Sequence, residues 1–183
     1  MSLFTDRKDF FKLLATIHYE VRHDELIAGG NGMKRKSFIH IDNPEEITAA
    51  VMNQLHVPCV AHINFEGKPI NRKDSIRVRI ANELLFLDKV ATTTLLPTKE
   101  KAYAAALERS FNVMMDFISY MHNEYEEKER CGPFEDIDLN LFSWRMQDDY
   151  SDGFVGWTLT WADEVKATDL LGFDENKWIA IEP

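Results

Sequence analysis

Only two of the 183 residues are cysteine, Cys59 and Cys131. That is too few for the disulfide framework of a small secreted domain, so the chain reads as the product of a reducing compartment. No run of about 20 apolar residues occurs and no apolar N-terminal run, so neither a membrane span nor a secretory signal is expected. Positive charge is also short: 21 Lys and Arg stand against 31 Asp and Glu, a net charge of −10. Wrapping a nucleic acid needs cationic side chains to displace counterions from the phosphates, and this balance argues against it. Internal repeats and low-complexity tracts are absent. So are the nucleophile elbow, the metalloprotease helix and the dinucleotide-binding glycine pattern, and no convergent polar set for catalysis can be assembled. The expectation is a non-enzyme without a cofactor.

What is present is apolar and periodic, enough for one globular domain with appendages. From Thr98 to Lys128, Leu107, Phe111, Met114, Ile118, Met121 and Tyr125 recur at three- and four-residue steps, one side of an α-helix. A second row, Ala106, Val113, Phe117 and Tyr120, widens the apolar arc. The narrow row reads as domain core. Two readings stay open for the extra row: contact with another protein chain, or cover by the C-terminal tail of the same chain.

Taken in order, a first helix is capped by Thr5 or Asp6, buries Phe10, Leu14, Ile17 and Val21, and is widened by Phe11, Leu13 and Ala15. A loop at Gly29 to Gly32 leads to the basic cluster Lys34, Arg35, Lys36. A strand at Ser37 to Ile41 and a short helix from Pro44 to about Leu55 form a small insert, residues 36–56. A strand from His56 to Phe65 is closed by Gly67 and Pro69. The next begins at Ser75, with Ile76, Val78 and Ile80 facing one way and Arg77 and Arg79 the other; its pattern is interrupted at Ala81 to Glu83, which predicts a bulge or bend, and resumes as Leu84 to Val90, apolar on both faces. After the long helix come paired strands at Ile137 to Met146 and Phe154 to Ala162, the first changing apolar phase at Phe142. The fold expected is α+β: an antiparallel sheet of about four strands covered on one face by two helices, in a single domain over 1–162, with an extended tail over 163–183 as a candidate docking segment.

Several constellations invite a chemical reading and do not sustain it. His56, Cys59 and His62 are spaced three apart, but on a strand such positions point to opposite faces, so a buried thiol between two ordinary histidines is expected instead of zinc. His18 and His23, five apart, read as surface or boundary residues. The Gly29 to Ser37 stretch has the wrong glycine-to-lysine spacing for a phosphate loop and reads as a mobile loop. Asp148, Asp149 and Asp152 lack the ligand alternation of a calcium loop and read as a hairpin tip. No metal is expected. Basic residues gather in the first half and acidic ones in the second, a split that is either merely solvated or suited to head-to-tail assembly.

The order Lys36-Ser37-Phe38-Ile39, Glu45-Glu46-Ile47, Val57-Pro58-Cys59-Val60, the long helix, Ile137-Asp138-Leu139-Asn140 and Gly153 to Thr160 resembles small structural proteins of tailed bacteriophages and prophages of the Bacteroides group. Those are similar in turn to the tail terminator and head-tail connector class. The likeness spans about residues 36–162 and is most specific at Gly156-Trp157; the chain departs from it after Asp163 and in Lys68 to Arg79. The resemblance implies a non-catalytic ring subunit, hexameric or dodecameric, at the neck or tail of a virion assembled in the bacterial cytoplasm. Its partners would be copies of itself and adjacent portal, connector or tail proteins, with DNA passing through unbound and no membrane. The interaction residues expected are Arg77, Arg79, Phe117, Tyr120, Phe173 and Trp178. The competing expectation is an acidic adaptor or inhibitor that binds a nucleic-acid-handling partner.

Overall fold

A strand that is apolar on both faces has to be covered on both, and this requirement organises the chain. In the computed structural model, which describes residues 3–42, 49–72, 75–90, 96–128, 134, 137–151 and 153–166, the consecutive residues Leu84, Leu85, Phe86 and Leu87 are all buried. They belong to β3 (Ser75–Lys89), which lies between β2 (Cys59–Arg72) and β5 (Phe154–Lys166) in a sheet of order β1-β2-β3-β5-β4. The edges are β1 (Phe38–Ile41) and β4 (Ser143–Ser151). All neighbours are antiparallel except β1, which runs parallel to β2 with Phe38 opposite Val60.

The fold is therefore α+β, but the sheet is mixed and wider than the expected four antiparallel strands. The insert strand is the reason: its ladder with Val60 to Ile63 makes β1 an integral edge of the one sheet.

One face is covered by α1 (Leu3–Ile17) and α3 (Leu96–Lys128), whose Phe11, Leu14, Val113, Met114, Phe117 and Met121 pack with Val60, Leu84, Phe86 and Leu159. The other face is not bare, as a one-sided arrangement would require. Cys59, Ala61, Ile63, Leu85 and Leu87 are closed over by Met52 of α2 (Ala49–Met52) and by Leu55. Each fully buried Leu or Phe in these two cores stabilises the fold by about 1.5–3 kcal/mol relative to exposure.

Four local expectations are corrected. β3 passes Ala81 to Glu83 without a bulge; the register shift lies in β2, between Ile63 and Glu66. β2 also runs past Gly67 and Pro69 to Arg72, so the insertion-like segment is the far end of the β2–β3 hairpin. The phase change before β4 is a 3-10 turn, Leu139–Leu141, capped by Asp138, whose side chain accepts from the amide of Asn140 at 2.9 Å. β5 continues to Lys166, which brings 163–166 into the domain.

Gly156 is imposed by close approach: a Cβ there would lie 1.9 Å from the carbonyl oxygen of Phe86 on the neighbouring strand. Next to it, Trp157 pins the long helix to the sheet, its Nε1 donating to the Leu107 carbonyl at 3.0 Å while its ring meets Phe111 edge-on.

Candidate interaction surface

An extra apolar row on a helix becomes an interface only if the domain leaves it uncovered, and on α3 the domain does not. Ala106, Val113 and Phe117 are buried, Phe117 at 2% exposure with its ring edge-on to Phe86. Phe117 is thus spent on the core, which corrects its expected role as a surface contact. The physical reason is width. A five-stranded sheet with α1 alongside offers partners to both rows of α3.

Uncovered apolar surface beside α3 is found on α1 instead. Leu13 and Ile17, expected inside, are 53% and 54% exposed, and Tyr19 just beyond is 67% exposed. The helix ends at Ile17, and the turn after it carries Val21 into the core, so the buried side is set by Phe11, Leu14 and Ala15. Between the end of α1 and the middle of α3 lies a groove of about 480 Å³ lined by Leu14, Ile17, Tyr19, Phe117 and Tyr120. At its rim His18 Nε2 and Asp116 Oδ2, 3.1 Å apart, tie the two helices together. Tyr120 is half-buried there, so it does sit at a concave surface, with Phe117 behind it.

Arg79 is exposed and Arg77 partly so, 4.0 Å from Glu164 of β5. Both lie on the sheet face opposite α1 and α3, so among the described residues the expected arginines and the expected aromatic residues of α3 do not share one patch. Phe173 and Trp178 fall outside the described residues, as does Cys131. The side chains of Asp148, Asp149 and Asp152 do too. Sequence reasoning missed Trp144 and Met146 on the β4 edge, 49% and 48% exposed. Their alternation was visible, but only strand order shows that they lie on an edge.

Polar groups inside the domain are structural in their geometry. Arg7 of α1 is fully buried and donates to Asp163 at 2.5 and 2.8 Å and to Asn82 at 2.7 Å. The interruption at Asn82 was the one trace of this cluster in sequence. Asp88, buried under α3, accepts from Arg109 Nε, and burial pushes its carboxyl up from the usual range. His62 is buried under Phe11, with its Nδ1 3.1 Å from that of His40. Burial, reinforced by His40, Arg7 and Lys8, pushes His62 down to about 3.

Cys59 faces the α2 core while His62 faces α1, and burial raises the thiol to about 12. His23, expected near the surface, is buried and accepts from the amides of Ser37 and Phe38 at 3.1 Å. The loop at Gly29 to Gly32 is a hydrogen-bonded turn closed by a Leu26–Lys34 bridge, with Gly29 and Gly32 at φ 76° and 85°. Among the described residues, no three His, Cys, Asp or Glu converge as metal ligands. None of the described helices is long and apolar enough to cross a membrane.

No protein-family model matches the chain, and no match is found among curated proteins or solved structures.

Proposed function

We propose that the chain is a structural subunit of a tailed-phage virion, assembling with copies of itself into a ring at the head-tail junction or tail end through which DNA passes. The observation that supports this most is the apolar surface left open at the end of α1, where exposed Ile17 and Tyr19 line a groove beside α3 and exposed Leu13 lies one helical turn before Ile17. Singly exposed apolar residues are ordinary, but a contiguous set beside a concavity is the kind of surface that a neighbouring subunit covers. Two sheet edges, β1 and β4, each paired on one side only among the described residues, add further places for a neighbour to bind. The net charge of −10 suits a lumen past which DNA slides without adhering.

Size-exclusion chromatography with light scattering tests the reading. A mass that is a multiple of six subunits, or assembly induced by a portal-like partner, is the expected result. A monomer that stays monomeric and instead captures a nucleic-acid-handling protein would replace it with the acidic-adaptor reading.

A further inference from the structure

The strand β5 carries the chain away from the groove between α1 and α3. Trp157 of β5 lies opposite Phe86, whose ring meets that of Phe117 at the back of the groove, centroids 5.1 Å apart. From Trp157 the strand runs on to Lys166, opposite Arg77, a course of about 30 Å at about 3.3 Å per residue. Helix α1 gives the same direction: Arg7, near its start, is bound to Asp163, and the groove lies at its other end. A return to the groove within one chain would have to reverse at Lys166 and retrace that distance. From Lys166 to Phe173 the backbone reaches at most about 25 Å even when fully extended, so Phe173 falls short of its own groove.

The residues beyond Lys166 match the groove in chemistry. Residues 167–183 include Leu170, Leu171, Phe173, Trp178 and Ile179, with four acidic residues against one lysine. The groove, of about 480 Å³, is walled by Leu14, Ile17, Phe117, Tyr19 and Tyr120, with the imidazole of His18 stacked on Tyr19. A concavity with aromatic walls is suited to an indole or phenyl ring. On the exposed surface of α1, Leu13 and Ile17 stand one turn apart, and Lys8 and Lys12 outnumber Asp9, a charge that favours an acidic segment. One chain thus holds both halves of a contact that the course of β5 keeps apart. When each copy offers its segment to the next and its groove to the one before, the contact is head-to-tail, the kind that closes into rings.

We propose that residues 167–183 of one copy dock on the α1–α3 groove of the next, with Trp178 in the groove and Phe173 against Leu13 and Ile17. The contact rests on the ring reading, for which it names the segment and the surface that join successive subunits.

The test mixes two variants of the 183-residue chain and reads mass by light scattering. Leu13→Lys with Ile17→Lys spoils the groove and keeps the segment. Phe173→Ala with Trp178→Ala spoils the segment and keeps the groove. Each alone is expected to fall to the mass of a single chain. Mixed in equal amounts they share one sound groove and one sound segment, and a pair of twice that mass is expected, because the contact is directional. A peptide of residues 167–183 should compete with assembly of the parent and lower its mass, and the Phe173→Ala, Trp178→Ala peptide should not. Should the groove variant melt below the parent, Tyr19→Lys, at a 67% exposed position, takes its place. An oligomeric parent whose mass survives the segment variant, or a mixture that forms no pair, overturns the proposal and leaves the ring to other surfaces. A parent that stays a single chain at every concentration also overturns this contact, while the ring reading then stands or falls on assembly with a portal-like partner.

Discussion

Arg7 and Asp163 are 156 residues apart and meet through two hydrogen bonds, at 2.5 and 2.8 Å, with neither side chain exposed to water. The first turns of the chain are thereby bolted to the last strand, with Asn82 of the central strand completing the cluster at 2.7 Å from each partner. Taking one ion away strands the other in a low-dielectric interior. Arg7→Ala or Asp163→Ala is expected to destabilise the domain by about 3–5 kcal/mol, read as a shift in urea midpoint. The double variant Arg7→Met, Asp163→Leu should lose much less than the sum. Additive losses would show that the two residues are not coupled.

Gly156 offers a test of the β3–β5 contact. A methyl group at 1.9 Å from the Phe86 oxygen forces the strands apart, and Gly156→Ala should cost about 1–3 kcal/mol or more, visible as a lowered melting temperature. An unchanged melt would mean that the strands are spaced more widely than described.

The buried histidine predicts a pH dependence. His62 is pushed down to about 3 in the folded chain from an ordinary value of 6.5, and His40 is lowered in the same direction by burial. Between those two values the unfolded chain binds more protons than the folded one. The contribution of neutral His62 is therefore complete above pH 6.5 and is lost progressively as pH falls toward 3. The groups facing it are Arg7 and Lys8 of α1 and His40, itself 3.3 Å from Asp42, so the nearest cations add to the effect of burial. Stability should fall by about 1 kcal/mol between pH 7.5 and 5.5. His62→Leu should flatten that slope, and a slope that persists in the variant would assign it elsewhere.

Cys59 should be inert to a thiol reagent in the native state and react fully after denaturation, because the thiol is buried and raised to about 12. The measurement is made in a Cys131→Ser background. Rapid native-state labelling would show that the α2 core opens.

The α1 surface gives the functional prediction. Leu13→Lys with Ile17→Lys should leave the thermal melt within about 0.5 kcal/mol of the parent, since both side chains are already half in water. The same variant should lower the mass measured by light scattering. Phe173→Ala with Trp178→Ala is expected to impair assembly while circular dichroism is unchanged. Assembly unaffected by either pair would remove the α1 groove and the tail from the interface.

How far the sequence could be read depended on whether a residue's partners lay nearby in the chain. The long helix was legible to within two residues at its start, because Leu107, Met114 and Met121 state their period locally. The two central strands were legible as strands for the same reason. Whether Leu13 and Ile17 are covered was not legible, since that depends on where α3 lies across the sheet. Nor was the meeting of Arg22, Arg35 and Arg109 around one concavity: Arg35 was visible only as one of three consecutive basic residues, and the other two are brought to it by the turn after α1 and by the course of α3.

Residue order alone settled the long helix, the central strands and the acidic balance, and it marked Leu84 to Val90 as apolar on both faces, because periodicity and composition are properties of short windows. Packing settled which apolar row is core and which is surface, and it joined Arg7, Asn82 and Asp163 into one buried cluster. Those outcomes rest on contacts between residues far apart in the chain, and no local window contains both partners.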